Sequence, residues 1–241
     1  ELLYSDILPL ALEDGQTSII DSFHEQIALS DRVEIAVGYV SKAALEELDS
    51  LVYALHLKYV SLVIGMYYIE GMPESTYRTA LALNEKWKAD GIGEIRLVKA
   101  FKYHGKLYAF LKDDSVFSAI IGSANLGVIK PEASNRRQYE VSALTKSTDE
   151  AEAILSHIRE LQDNRCSADI ADVHDMTLIR EINVSLTGVD TVEQVPQTEV
   201  ALYDRHKTDV SFILPIKVPA YDERHMDDGK HFTKSNLNVS Y

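Results

Sequence analysis

Residues 101–140 read FKYHGKLYAFLKDDSVFSAIIGSANLGVIKPEASNRRQYE, and their pattern predicts a hairpin of two β-strands. The first strand carries a His and a Lys at alternating positions. The second, residues 115–121 (SVFSAII), is rich in β-branched and aromatic side chains and ends at Gly122. A turn near residues 112–114 joins the two strands. The hairpin would therefore return the Gly-Ser-Ala-Asn turn at 122–125 to the end of the sheet where the His-Lys pair lies.

The side chains grouped by this hairpin suit an anionic ligand. Successive side chains of a strand point to opposite faces, so His104 and Lys106 would project from one face with their tips close together. An imidazole beside an ammonium can hold and attack an anion such as a phosphate diester. Ser123 and Asn125 could donate hydrogen bonds to phosphate oxygens, and Gly122 would let the backbone approach the ligand closely. These residues predict a phosphodiester site.

Helix and strand patterns alternate on either side of this stretch. Apolar residues at helical spacing predict helices over 18–29, 43–57, 74–90 and 149–161, and β-rich runs predict strands over 33–40, 59–66, 94–98 and 139–145. Residues 67–75, with a Gly and a Pro, are typical of a loop. The alternation predicts an α/β layered domain with parallel neighbouring strands and an added antiparallel hairpin.

The pattern changes after Asn164. Residues 166–241 lack long helical periodicity and carry short β-like runs separated by turns rich in Gly, Pro and Asp. Two domains are therefore predicted, one over 1–165 and a smaller, mostly β one over 166–241. The chain opens without a Met and ends abruptly at Tyr241, which suggests a piece of a longer protein.

Composition excludes several classes of protein. The chain has 241 residues, is 46% hydrophobic and carries a formal net charge of −14, which disfavours a nonspecific coat on nucleic acid but not a nuclease with a locally basic cleft. The single Cys166 excludes an internal disulfide and fits a reducing cytosol. No apolar run approaches the roughly 18 residues that a membrane span needs, so a cytoplasmic protein is expected.

The conjunction of His104–Lys106 with the later Gly-Ser-Ala-Asn turn resembles the HxK…GSxN signature of the phospholipase D superfamily. The surroundings YHGKLYAF, IIGSANL and RRQYEV resemble most closely the NgoFVII-type restriction endonucleases, relatives of the BfiI catalytic domain. One departure is plain, because Leu111 stands where the superfamily pattern has Asp, with Asp113 and Asp114 following. The resemblance implies a phospholipase D-like layered mixed sheet flanked by helices, followed by a smaller pseudobarrel domain that recognises DNA.

The resemblance also implies a role for each site residue. His104 would be the nucleophile that forms a covalent phosphohistidine, while Lys106 and Asn125 would bind the non-bridging oxygens and Ser123 would assist through its hydroxyl. Glu140 would orient the imidazole through its other ring nitrogen. Because the chain carries one complete HxK…GSxN signature and such sites need two halves, a homodimer is implied. The implied activity is metal-independent cleavage of double-stranded DNA, without a cofactor.

Contacts to DNA are predicted in two places. A polar loop with three cations follows the phosphate-binding turn, and a basic segment lies near the end of the chain; their candidate residues are Lys130, Arg136, Arg137, Lys230 and Lys234. The alternative for the loop is an ordinary exposed connection. The hard ligands at 222–228 match no loop with defined calcium or zinc geometry, so no metal site is predicted.

Two other functions stay open at this stage. One is a phospholipase D-type phosphodiesterase that acts on a substrate other than DNA, and the other is a catalytically silent DNA-binding module. Some relatives act with a separate ATP-driven translocase subunit, and this chain contains no GxxxxGK phosphate-binding loop of its own.

Overall fold

The computed structural model describes residues 1–131 and 138–180. All of these belong to the first of two compact units, which spans Glu1–Val184. Arg136, Arg137, Lys230 and Lys234 lie outside the described residues, as does most of the predicted second domain.

Eleven strands are found in the described part of the chain. They are β1 (Leu2–Tyr4), β2 (Thr17–Ser18), β3 (Arg32–Val37), β4 (Tyr59–Ile64), β5 (Met72–Pro73), β6 (Gly93–Val98), β7 (Leu107–Lys112), β8 (Ser115–Gly122), β9 (Val141–Thr145), β10 (Ser167–Asp169) and β11 (Leu178–Ile179). Nine of these described strands form one sheet in the order β10-β6-β4-β3-β7-β8-β9-β1-β2, and β11 pairs with β5 separately.

The direction of the pairings confirms the predicted mixed sheet. Strands β3, β4 and β6 run parallel, while β7, β8 and β9 pair antiparallel as a continuation of the hairpin. β7 also lies antiparallel to β3, so the hairpin joins the centre of the sheet. Asp113 and Asp114 make the hairpin turn with φ angles of +47° and +64°, the left-handed conformation that a tight two-residue turn needs.

Five α-helices flank the sheet in the described residues: α1 (Ile19–Leu29), α2 (Lys42–Ala54), α3 (Tyr67–Glu70), α4 (Glu74–Ala89) and α5 (Thr148–Gln162). Ser18 and Ser41 cap α1 and α2, because each hydroxyl accepts a hydrogen bond from a main-chain N–H three residues later. α2 ends before the predicted residue 57, since His56 takes a positive φ of 55° that stops the helix. The predicted loop over 67–75 instead forms α3 and β5.

The sheet is covered on both faces. Leu62 packs in the core with α1, α2 and α4, whereas the adjacent Val63 packs in the core with α5. Both side chains are fully buried, which explains the nearly continuous apolar run of β4. Small residues such as Ala109 and Ala119 lie on the α5 side. The central strands are thereby fixed by packing on two sides.

The first unit continues past the boundary predicted at residue 165. β10 pairs antiparallel with β6, and Asp169 accepts hydrogen bonds from Asn84 Nδ2 at 2.8 Å and Lys88 Nζ at 2.6 Å. Residues 167–169 are therefore an edge strand of the same sheet, tied to α4. No helix of the described residues has the length and apolar character needed to cross a membrane.

Candidate active site

The candidate site lies at the carboxyl ends of β3 and β4. Gly38 and Gly65 directly follow these strands, and the segment before β7 crosses over them, with Tyr103 N donating to Gly65 O at 3.2 Å. A Cβ added at Gly65 would lie 2.0 Å from Tyr103 O, and one added at Gly38 would lie 3.0 Å from His104 Cδ2. The two glycines therefore let the segment that carries His104 rest directly on the sheet.

The strand predicted to carry both His104 and Lys106 begins only at Leu107. This part of the prediction is wrong, because the segment before Leu107 leaves the ladder with β3 and bonds instead to Gly65. Lys106 also turns back on the segment, since its Nζ donates to His104 O at 2.6 Å. The two side chains nevertheless line the same cleft.

The hairpin brings the Gly-Ser-Ala-Asn turn to this segment. Leu107 pairs with Ile121, and Gly122 N donates to Lys106 O at 3.2 Å. As a result, the five predicted catalytic residues line one cleft of about 730 Å³. They are His104, Lys106, Ser123, Asn125 and Glu140. Tyr39, Gln138 and Tyr139 also line this cleft.

The two basic side chains of the cleft differ in their environment. His104 is exposed, whereas Lys106 is 5% exposed. Burial lowers the pKa of the Lys106 ammonium, and the nearby Glu140 carboxylate acts in the opposite direction. An accessible imidazole thus stands beside a largely desolvated ammonium, where the charge of the ammonium is poorly screened.

Asn125 is held by a main-chain group. Its Oδ1 accepts a hydrogen bond from Tyr39 N at 3.0 Å. Because a main-chain N–H can only donate, the accepting atom must be the amide oxygen, which settles the orientation of the side chain. The NH₂ group of Asn125 is left as the donor for a ligand.

Glu140 contacts Ser123 in this structure. The Ser123 hydroxyl donates to the Glu140 carboxylate and accepts from Val141 N at 3.1 Å, while Glu140 N donates to Ser5 Oγ at 3.0 Å. Among the hydrogen bonds between described residues, none joins Glu140 to His104. The orienting role of Glu140 therefore stays a prediction, and its observed partner is the serine.

The remaining predicted positions lie away from this group. Lys130 is exposed and forms an ion pair with Glu47 at 2.9 Å. Leu111, at the position where the superfamily pattern has Asp, is buried in the core. Asp113 and Asp114 lie at the hairpin turn, at the opposite end of β7 from His104, and Asp114 pairs with Arg32. Neither aspartate replaces the missing one in the cleft.

Sequence reasoning missed three contributors. Tyr39 follows β3 and contacts His104 and Asn125, Gly38 leaves the space in which the His104 ring lies, and Glu70 on α3 binds the Tyr39 hydroxyl. A glycine and an aromatic residue immediately after a buried strand were the available signal. Glu70 lies in a segment predicted as a loop, so the sequence gave no signal for its role.

A mixed sheet of this order, with His, Lys, Ser and Asn grouped where its hairpin meets the parallel strands, defines a phospholipase D-like protein. The family described as NgoFVII restriction endonuclease N-terminal PLD domain matches residues 17–175. The chain belongs to this family, as the sequence resemblance predicted. It is therefore a phospholipase D-type restriction endonuclease domain, and the family implies DNA as its substrate.

Solved structures with a similar fold share little sequence with the chain. NucT from Helicobacter pylori is 16% identical, with 69% of this chain and 96% of that chain covered and a TM-score of 0.47. Nuc from Salmonella typhimurium, a phospholipase D family member, is 13% identical, with 70% and 95% covered and a TM-score of 0.43. Phosphatidylserine synthase from Haemophilus influenzae Rd KW20 is 14% identical, with 70% and 39% covered and a TM-score of 0.46. No curated protein gave a significant match.

Proposed function

We propose that the chain is a metal-independent endonuclease that cleaves double-stranded DNA through a covalent phosphohistidine. The observation that carries this proposal is the convergence of His104, Lys106 and Asn125 on one cleft in a member of a restriction endonuclease family. An exposed imidazole is accessible to a phosphodiester, and the two neighbours can donate to its oxygens.

The chemistry has two displacements at phosphorus. A nitrogen of neutral His104 attacks the phosphorus atom, an N–P bond forms, and the bond to the leaving oxygen breaks. Water then breaks the N–P bond and returns the imidazole. Lys106 and Asn125 stabilise the charge on the non-bridging oxygens throughout. Since Lys106 has three donors and one of them binds His104 O, the others are available to the phosphate.

The leaving oxygen needs a proton, and the described part of the cleft is lined by a single imidazole. We therefore propose that a second copy of the chain supplies the other imidazole across a two-fold axis. Each copy would contribute one histidine to a composite site, so that one acts as nucleophile and the other as general acid.

Mixing wild type with an excess of the His104→Ala variant should inhibit the wild type. At a ratio of one to nine, random pairing leaves about a tenth of wild-type subunits in intact dimers, so cleavage per wild-type subunit should fall about tenfold. The measurement is the rate of plasmid cleavage after subunit exchange, with sedimentation to establish the dimer. An unchanged rate per wild-type subunit would contradict a composite site.

Plasmid cleavage by the purified protein should persist in excess EDTA. The reason is that Lys106 and Asn125, rather than a divalent cation, stabilise the charge at phosphorus. The measurement compares initial rates with EDTA and with added magnesium. Cleavage that requires magnesium would overturn the proposed mechanism, and cleavage that requires an added ATP-driven translocase would show that the chain needs a partner subunit to act.

Recognition of DNA is proposed to involve the loop after the catalytic turn and the end of the chain. Lys130, together with Arg136 and Arg137 further along the chain, would contact the phosphate backbone, and the second unit, Ser185–Tyr241, with Lys230 and Lys234, would read the sequence. What supports the first part is that the Lys130 side chain is exposed and its ion pair with Glu47 lies at the surface, where it can be exchanged for a phosphate.

A further inference from the structure

Tyr39 contacts both His104 and Asn125. Its main-chain N–H binds Asn125 Oδ1 at 3.0 Å, and its ring meets the imidazole of His104 edge to face, with 5.9 Å between ring centroids and an interplanar angle of 77°. One residue thus links the residue proposed to attack the phosphate to a residue proposed to bind it.

The ring of Tyr39 is itself fixed on two sides. It packs edge to face against Tyr67, with 5.3 Å between ring centroids, and its hydroxyl donates to the Glu70 carboxylate. Lys102 Nζ binds the other oxygen of Glu70 at 3.1 Å. α3 therefore supplies both supports, and the residue that anchors Glu70 lies two positions before His104.

The protonation states of Tyr39 and Glu70 keep the hydrogen bond of the Tyr39 hydroxyl in place. The hydrogen bonds from Tyr39 and Lys102 hold the pKa of Glu70 below its usual range, and the bond to Glu70 together with burial raises the pKa of Tyr39 to about 12. Tyr39 is consequently a neutral donor and Glu70 an ionised acceptor throughout the physiological range.

We propose that Tyr39 is a positioning residue for the nuclease reaction: its ring, held by Tyr67 and Glu70, fixes the plane of the His104 imidazole. The expected effect on the cleavage rate rests on the proposed function, whereas the contact between Tyr39 and His104 does not. An imidazole exposed on one side and supported over Gly38 on the other needs a lateral contact to keep one ring plane. Attack on phosphorus depends on that plane, because misplacing a reacting atom by about 1 Å can cost about 100-fold in rate.

The test compares Tyr39→Leu with Tyr39→Phe in the full chain. The Phe variant keeps the ring and its packing on Tyr67 but loses the bond to Glu70, whereas the Leu variant loses the ring. Both keep the main-chain N–H that binds Asn125. Tyr53→Leu is the matched control, because Tyr53 also donates to a carboxylate, that of Asp90, and does not line the cleft.

The first readout is the NMR signal of the His104 Cδ2–H in histidine-labelled protein, assigned by its disappearance in His104→Gln. The ring current of Tyr39 should be visible in this signal, so the Leu variant should shift it beyond its linewidth, while Tyr39→Phe and Tyr53→Leu should leave it close to wild type. A Leu variant with the wild-type signal would overturn the proposal. This readout needs no DNA, so it stays informative even if the chain proves to have no nuclease activity.

The second readout is steady-state cleavage. Tyr39→Leu should lower kcat about 10- to 100-fold with KM within about threefold, since substrate binding is kept and the attacking geometry is lost. Tyr39→Phe should lose less than about fivefold, because the ring contact remains. An equal loss in Tyr53→Leu, or a change confined to KM, would overturn the positioning role.

Discussion

His104→Ala should reduce DNA cleavage by roughly 10⁴-fold or more while leaving DNA affinity within about threefold of wild type. The imidazole is the group of the cleft that the proposed displacement uses as its nucleophile. It is also exposed, so its removal takes little packing from the core. The measurements are plasmid cleavage in excess EDTA and fluorescence anisotropy with a labelled duplex.

The matched control for this variant is His174→Ala, which removes another exposed imidazole of the first unit, one that does not line the cleft. It should cleave at the wild-type rate. Retained cleavage in His104→Ala would rule out the histidine mechanism. Loss of cleavage, binding and thermal stability together would show that His104 supports the fold.

Local pattern predicted the central elements of the fold well, and for physical reasons. β4 is buried on both faces, so its sequence is apolar at nearly every position, and α1 and α2 each bury one face, so their apolar residues recur at helical spacing. Other features depend on distant residues. β5 pairs with β11, about a hundred positions away, and the edge strand β10 pairs with β6 across the boundary predicted near residue 165.

The proposed catalytic residues could be predicted because they lie close together in the sequence. His104, Lys106, Ser123 and Asn125 belong to a single hairpin, and the hairpin alone brings them together. The residues that hold these side chains in place could not be predicted in this way. Tyr39 binds Asn125 through a main-chain N–H, which any residue other than proline also has, so the sequence carries no trace of that contact.

Gly65→Ala should both destabilise the protein and disable its cleft. An alanine Cβ at this position would lie 2.0 Å from Tyr103 O, a distance that forces main chain to move. Overpacking of this kind costs about 3 kcal/mol, which for a chain of this length lowers Tm by roughly 6–12 °C. Since Tyr103 directly precedes His104, kcat should fall about 100-fold below the unfolding transition as well. Calorimetry and initial rates measure the two effects.

Gly93→Ala separates the two effects, because it creates an equal clash at the other end of the sheet. Its Cβ would lie 1.9 Å from Val60 O, at the start of β4 rather than at the cleft. This variant should lose similar stability and keep its kcat while folded, whereas Gly127→Ala, with nothing within 4 Å of the added Cβ, should change neither. If Gly65→Ala kept its kcat, or if Gly93→Ala lost as much, the end of β4 would not be what positions His104.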